Sequence, residues 1–151
     1  MKTGTFTTHS EAETAATGRE LARNLSPGIV VLLYGDLGTG KTAFVRGMAE
    51  GLGLASDAVS SPTFTLIQEY RGGPVPLFHA DLYRLNDPRE IDDLGLDEIA
   101  ADGVLAIEWA DKLARPAPNA IRVTFDYIGE TERIVTIETL DALKMPVQNT
   151  K

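Results

Sequence analysis

The sequence predicts an α/β fold: a three-layer sandwich with parallel central strands and an antiparallel C-terminal hairpin. Three observations carry this. An apolar run, "IVVLLY" (29–34), is bounded by glycine on both sides, the mark of a strand buried on both faces of a parallel sheet. Helical and strand patterns alternate through the first two thirds of the chain. Two runs rich in β-branched and aromatic residues, "AIRVTFDY" (120–127) and "RIVTIETL" (133–140), then follow each other across a short turn at Gly129.

The elements follow in order. "TGTFTT" (3–8) alternates weakly, as an edge strand does. Ser10 opens S-E-A-E, a capping box in which Glu13 reaches back to the cap amide. The helix it starts carries Ala12, Ala15, Ala16, Leu21, Ala22 and Leu25 near helical spacing and ends at Pro27-Gly28. After the buried strand, "KTAFVRGMAEGL" (41–52) is a second helix. "FTLIQEY" (64–70), "VPLFHADLY" (75–83) and "GVLAIEW" (103–109) are strands. "DPREIDDLGLDEIAA" (87–101) is helical in two pieces broken near Gly95. Residues 1–145 form one domain, and 146–151 are a loose tail.

Composition bounds the function. A chain of 151 residues needs no disulfide or structural metal to fold. It has no cysteine, which excludes thiolate catalysis and Cys-ligated zinc. No apolar run reaches the ~20 residues of a membrane span, and "MKTGTFTTHSEAET" lacks a signal-peptide core, so the expected location is the cytoplasm. The net charge of −8 argues against an autonomous nucleic-acid binder.

The chemistry begins at Gly35–Thr42, which spell G-D-L-G-T-G-K-T. This is the P-loop pattern in its strand–loop–helix context, so the sandwich is expected to be P-loop NTPase-like. Glycines let successive N–H groups turn inward onto phosphate oxygens, and the helix adds its positive dipole end. Lys41 would bridge the β- and γ-phosphates, and Thr42 would place its hydroxyl on Mg²⁺. The metal needs an acid from a neighbouring strand end; Asp81 in "FHADLYRL" and Glu108 in "LAIEW" both qualify. Thr63 and Thr65, in "SSPTFTLIQEY" (60–70), lie where nucleotide switches keep a threonine for the metal or γ-phosphate, or serve strand propensity alone. His79 is expected to be a packed or hydrogen-bonded strand residue, and Trp109 an anchor near the site. Arg71 and Arg84 are phosphate-contact candidates or plain surface residues. The guanine motif N-K-x-D is absent, which favours ATP. An Arg-rich kinase lid is absent too; residues 84–101 are acidic and suit a basic protein partner better than a phosphorylated substrate.

"YGDLGTGKT", "SPTFTLIQEY", "HADLYRL" followed by "DP", and "IEWAD", in this order and spacing, make the chain resemble the TsaE (YjeE) family of tRNA threonylcarbamoyladenosine (t6A) biosynthesis. The resemblance runs from about Ser10 to the hairpin. It implies a P-loop fold that binds and hydrolyses ATP with Mg²⁺. Carried over by position, Asp36, Leu37, Gly38, Thr39, Gly40, Lys41 and Thr42 cradle the phosphates. Thr63 falls in the switch-like segment, Asp81 in H-x-D-L-Y-R, and Glu108 is the metal-side acid of I-E-W. Glu11 and Arg133 approach the nucleotide. The family works on a TsaB–TsaD pair, with TsaD carrying the transferase site, so tRNA would be met only through that complex. On size and loop alone, a small-molecule kinase or a nucleotide-gated, non-catalytic interaction module are the competing readings.

Overall fold

The computed structural model describes residues 3–36, 40–55, 66–113 and 120–140. Among the described residues seven strands form one sheet: β1 (Gly4–Thr8), β2 (Val30–Tyr34), β3 (Ile67–Tyr70), β4 (Leu77–Asp81), β5 (Val104–Glu108), β6 (Ala120–Tyr127) and β7 (Arg133–Leu140). Their order across the sheet is β1-β7-β6-β2-β5-β4-β3. β2 runs parallel to both neighbours, β5 and β6, and β5 runs parallel to β4. This central position explains the apolar run: Val31, Leu32 and Leu33 are fully buried.

The parallel centre and the β6–β7 hairpin are as predicted. Antiparallel pairing, however, closes both margins of the sheet rather than one. β1 pairs with β7 on one side, and β3 turns back on β4 on the other. β3 starts only at Ile67, because Leu66 has a left-handed backbone (φ 70°) that breaks the strand.

Helices cover the two faces. α1 (Glu11–Ala22) and α2 (Lys41–Gly51) pack on one, with Leu21, Phe44 and Met48 meeting Val31, Leu33, Val123 and Phe125. Phe44 and Phe125 stack edge-to-face, centroids 5.3 Å apart. Short helices α3 (Pro88–Asp92) and α4 (Leu96–Ala101), separated at left-handed Gly95, cover the other face, where Ile91 and Ala100 meet Leu32, Phe78 and Leu105. Strand alternation divides the core into these two layers, odd residues of β2 facing α1 and α2, even residues facing α3 and α4.

α1 begins as its capping box requires, with one shift. Ser10 Oγ accepts from the Glu13 amide at 3.1 Å. The Glu13 carboxylate reaches past the cap to the His9 amide at 2.7 Å. Among the described residues no helix is long and apolar enough to cross a membrane.

Candidate functional site

β2, β5 and β4 are adjacent and parallel, so their carboxyl ends open on one edge of the sheet. β2 delivers the loop there, β5 ends at Glu108 and β4 ends at Asp81. Register places Glu108 directly beside both Leu33 and Asp81. Both acids are buried, 4% and 2% exposed. Alternation puts Asp81, His79 and Glu108 on the α2 side of the sheet, with Leu77, Val104 and Ala106.

α2 opens on Gly40, which caps it in a left-handed conformation (φ 107°) that favours glycine. A Cβ there would only touch Thr14 of α1 at 3.4 Å, so the backbone rather than crowding favours glycine. Among the described residues no side chain caps this helix, and its first turn holds no acid, so its amides are open to an anion. Lys41 follows, only 5% exposed. Its ammonium donates to the Gly35 carbonyl and lies 4.5 Å from the Trp109 ring centre. Burial pushes Lys41 below the ordinary lysine value, opposed by the charges of Glu108, Asp81, Asp36 and Asp111. A buried cation held by a carbonyl and a ring face is placed to meet phosphate oxygens.

Trp109 has φ 59°, an uncommon backbone for a bulky residue, and opens the short 3-10 turn Ala110–Lys112. Tyr83 packs on its ring at 5.0 Å. Lys112 donates to the carbonyls of Tyr83 (2.6 Å) and Leu85 (2.9 Å), tying the segment after Asp81 to the end of β5. Asp81 accepts from the Tyr83 amide at 2.8 Å, and Glu108 binds His79 Nε2 at 2.6 Å.

A cavity of about 530 Å³ opens at this edge of the sheet, within the size range of small-ligand sites. Gly40, Lys41, Thr42, Asp81 and Glu108 line its sheet side. Glu11 and Arg133 line the opposite wall. They meet because β1 pairs with β7, setting Thr8 against Arg133 just before α1 begins. Arg133 Nη1 donates to the carbonyls of Gly129, Glu130 and Glu132, holding the hairpin turn. His9 links the same parts, facing Glu13 at 3.2 Å and Glu132 at 3.1 Å.

Asp36 is exposed just past β2 and does not line the cavity among the described residues. Leu37, Gly38, Thr39, Thr63 and Thr65 lie outside the described residues. Arg71 pairs with Glu69, and neither it nor Arg84 lines the cavity. Sequence reasoning missed Arg46, Thr14, Glu130 and Thr131, all on the cavity wall. Arg46 was detectable: it follows Thr42 by four residues, hence on the same helix face. Glu130 and Thr131 carried no such signal, because only tertiary pairing brings the turn there.

The residues fit a magnesium–nucleotide pair. Mg²⁺ typically takes one or two carboxylates and completes its shell with phosphate and water oxygens. Thr42, Asp81 and Glu108 beside Lys41 supply that donor set. Among the described residues no cluster of three His, Cys, Asp or Glu side chains would hold a metal by itself.

Fold and site together define an α/β protein of the P-loop class. The chain belongs to the TsaE family: the model described as "Threonylcarbamoyl adenosine biosynthesis protein TsaE" matches residues 8–135. It is 43% identical to the tRNA threonylcarbamoyladenosine biosynthesis protein TsaE of Bacillus subtilis, over 90% of this chain and 85% of that protein. It is 37% identical to the TsaE protein of Rickettsia conorii, over 88% and 77%. Among solved structures, the crystal structure of Bacillus subtilis YdiB superposes with a TM-score of 0.74 at 34% identity, covering 97% of this chain and 93% of that one.

Proposed function

We propose that this chain is a cytoplasmic, Mg²⁺-dependent ATPase of tRNA threonylcarbamoyladenosine modification, acting on a TsaB–TsaD complex. The observation that carries the reading is the convergence of Lys41 and Thr42 at the start of α2 with Asp81 and Glu108 at the ends of the adjacent parallel strands. The printed names of the relatives supply the pathway.

In this reading the amides of Asp36 to Thr42 cradle the phosphates. Lys41, which donates to the Gly35 carbonyl, would hold phosphate oxygens, and its charge would offset theirs. Thr42, Glu108 and Asp81 form the metal side, and Thr63 takes the switch position. Glu11 and Arg133 close the far wall. ATP with Mg²⁺ supplies the phosphoanhydride bond whose cleavage drives the cycle. The exposed acids Glu90, Asp92, Asp93, Asp97 and Glu98 offer a basic protein partner a complementary surface, and tRNA is met only through the complex.

ATP turnover measured with and without purified TsaB–TsaD tests this. The expected result is stimulation by the pair and loss of turnover in Lys41→Ala. Unchanged hydrolysis by Lys41→Ala refutes the nucleotide mechanism; stoichiometric transfer of phosphate to a metabolite would favour a kinase.

A further inference from the structure

We infer that His79 is a positioning residue for Glu108, fixing which oxygen of that carboxylate is offered to the metal–nucleotide. The inference rests on the Mg²⁺-nucleotide reading above.

His79 is fully buried in the middle of β4. Register sets it opposite Ala106, whose small side chain leaves room for the ring to lean along the sheet toward Glu108, two residues on. Nε2 meets Glu108 Oε2 at 2.6 Å. A carboxylate can only accept, so Nε2 carries the proton. Nδ1, the other ring nitrogen, has no hydrogen-bond partner among the described residues. On this face its neighbours are Leu77 and Ala106, which are apolar, and Gln68 of β3, whose side-chain oxygen accepts from the Tyr70 hydroxyl.

That arrangement is asymmetric. A ring kept only to fill the core would be matched by an apolar side chain, which leaves no nitrogen orphaned. Among the described residues the ring engages through Nε2, the end that reaches the acid. With Oε2 held from below, Oε1 is the oxygen left for the cavity that Glu108 lines beside Thr42 and Asp81. Mg²⁺ demands near-octahedral oxygen geometry, so a carboxylate free to rotate serves it less well than one with a fixed plane. Partners of this outer kind change metal affinity by ~10–100-fold. His79 touches neither metal nor nucleotide in this scheme; it acts through Glu108.

Two amide substitutions separate this role from packing. The side-chain nitrogen of Gln reaches about where Nε2 sits, whereas that of Asn stops near Nδ1. Calorimetry with a non-hydrolysable ATP analogue, in Mg²⁺ and then in EDTA, measures the gain in affinity that the metal confers. His79→Asn is expected to cut that gain by at least ~10-fold, and His79→Gln to restore most of it. Thermal unfolding checks that both variants fold; His79→Leu, which fills the apolar site without a donor, replaces His79→Asn if that variant unfolds. An undiminished gain in His79→Asn, or equal losses with and without Mg²⁺, overturns the positioning role alone. No Mg²⁺ effect in the unsubstituted protein overturns it together with the metal–nucleotide reading.

Discussion

The contact between α1 and α2 holds the two walls of the cavity in place, and Gly47→Ala tests how closely it is built. The two helices pack backbone against backbone. A Cβ added at Gly47 would lie 1.8 Å from the Ala15 carbonyl oxygen, and one at Gly18 would lie 2.2 Å from the Phe44 oxygen. Comfortable carbon–oxygen contact needs ~3.3 Å, so α1 must withdraw by ~1.5 Å. Neither obstacle is a flexible side chain; both are helix backbone. A gap of that order strips Leu21, Phe44 and Met48 of much of their dispersion contact. Overpacking of this kind costs ~3 kcal/mol, and alanine returns ~1 kcal/mol of helix propensity, leaving a net loss of about 2 kcal/mol. For a chain this size that lowers Tm by ~4–8 °C. Nucleotide affinity should fall as well, because Glu11 rides on α1 while Lys41 and Thr42 ride on α2. Urea denaturation of Gly47→Ala against Gly129→Ala is the assay. At Gly129 the nearest atom to an added Cβ is 3.6 Å away, so that control should stay within ~0.5 kcal/mol of the parent. A Gly47→Ala protein as stable as its parent would show that the helices do not touch as described.

Phe44→Ala removes a fully buried ring packed edge-on against Phe125 and should cost ~3–5 kcal/mol, read as a lower urea midpoint at an unchanged slope. Arg133→Ala frees the hairpin turn from three carbonyl contacts and should weaken nucleotide binding by ~1 kcal/mol, about fivefold by calorimetry. Glu13→Gln tests the cap. Hydrogen bonds from the His9 amide and ring hold the Glu13 carboxyl below its ordinary value of 4.5. The ionised form is therefore favoured by folding, and its contribution is present above that value and lost as pH falls through the lower folded one. The parent should be the more stable at neutral pH, and thermal unfolding should show the gap closing as pH drops below 4.5. A gap that persists in acid would mean that the charge is not what the cap uses.

Much of this was written locally in the chain. The buried run before the loop, the glycine-rich turn and the helix after it announce themselves because each is a local property: continuous apolarity, left-handed glycine, periodicity of 3.6. Ser10 capping α1, the break at Gly95 and the hairpin at Gly129 are likewise short-range chemistry. The sequence alone also presented Asp81 and Glu108 as strand-end acids, without choosing between them.

Only the tertiary structure decided that they stand side by side. Strand order depends on hydrogen bonds between segments far apart in sequence, and nothing in a strand's own alternation says which strand it will pair with. β5 lies between β2 and β4, which sets Glu108 against both the loop strand and Asp81. The pairing of β1 with β7 carries Arg133 to the start of α1, and β3 turns back on β4 at the far edge. H-x-D in β4 put His79 and Asp81 on one face by alternation alone. That His79 also reaches Glu108 became visible only when β4 and β5 lay in register, because the ring's partner belongs to another strand.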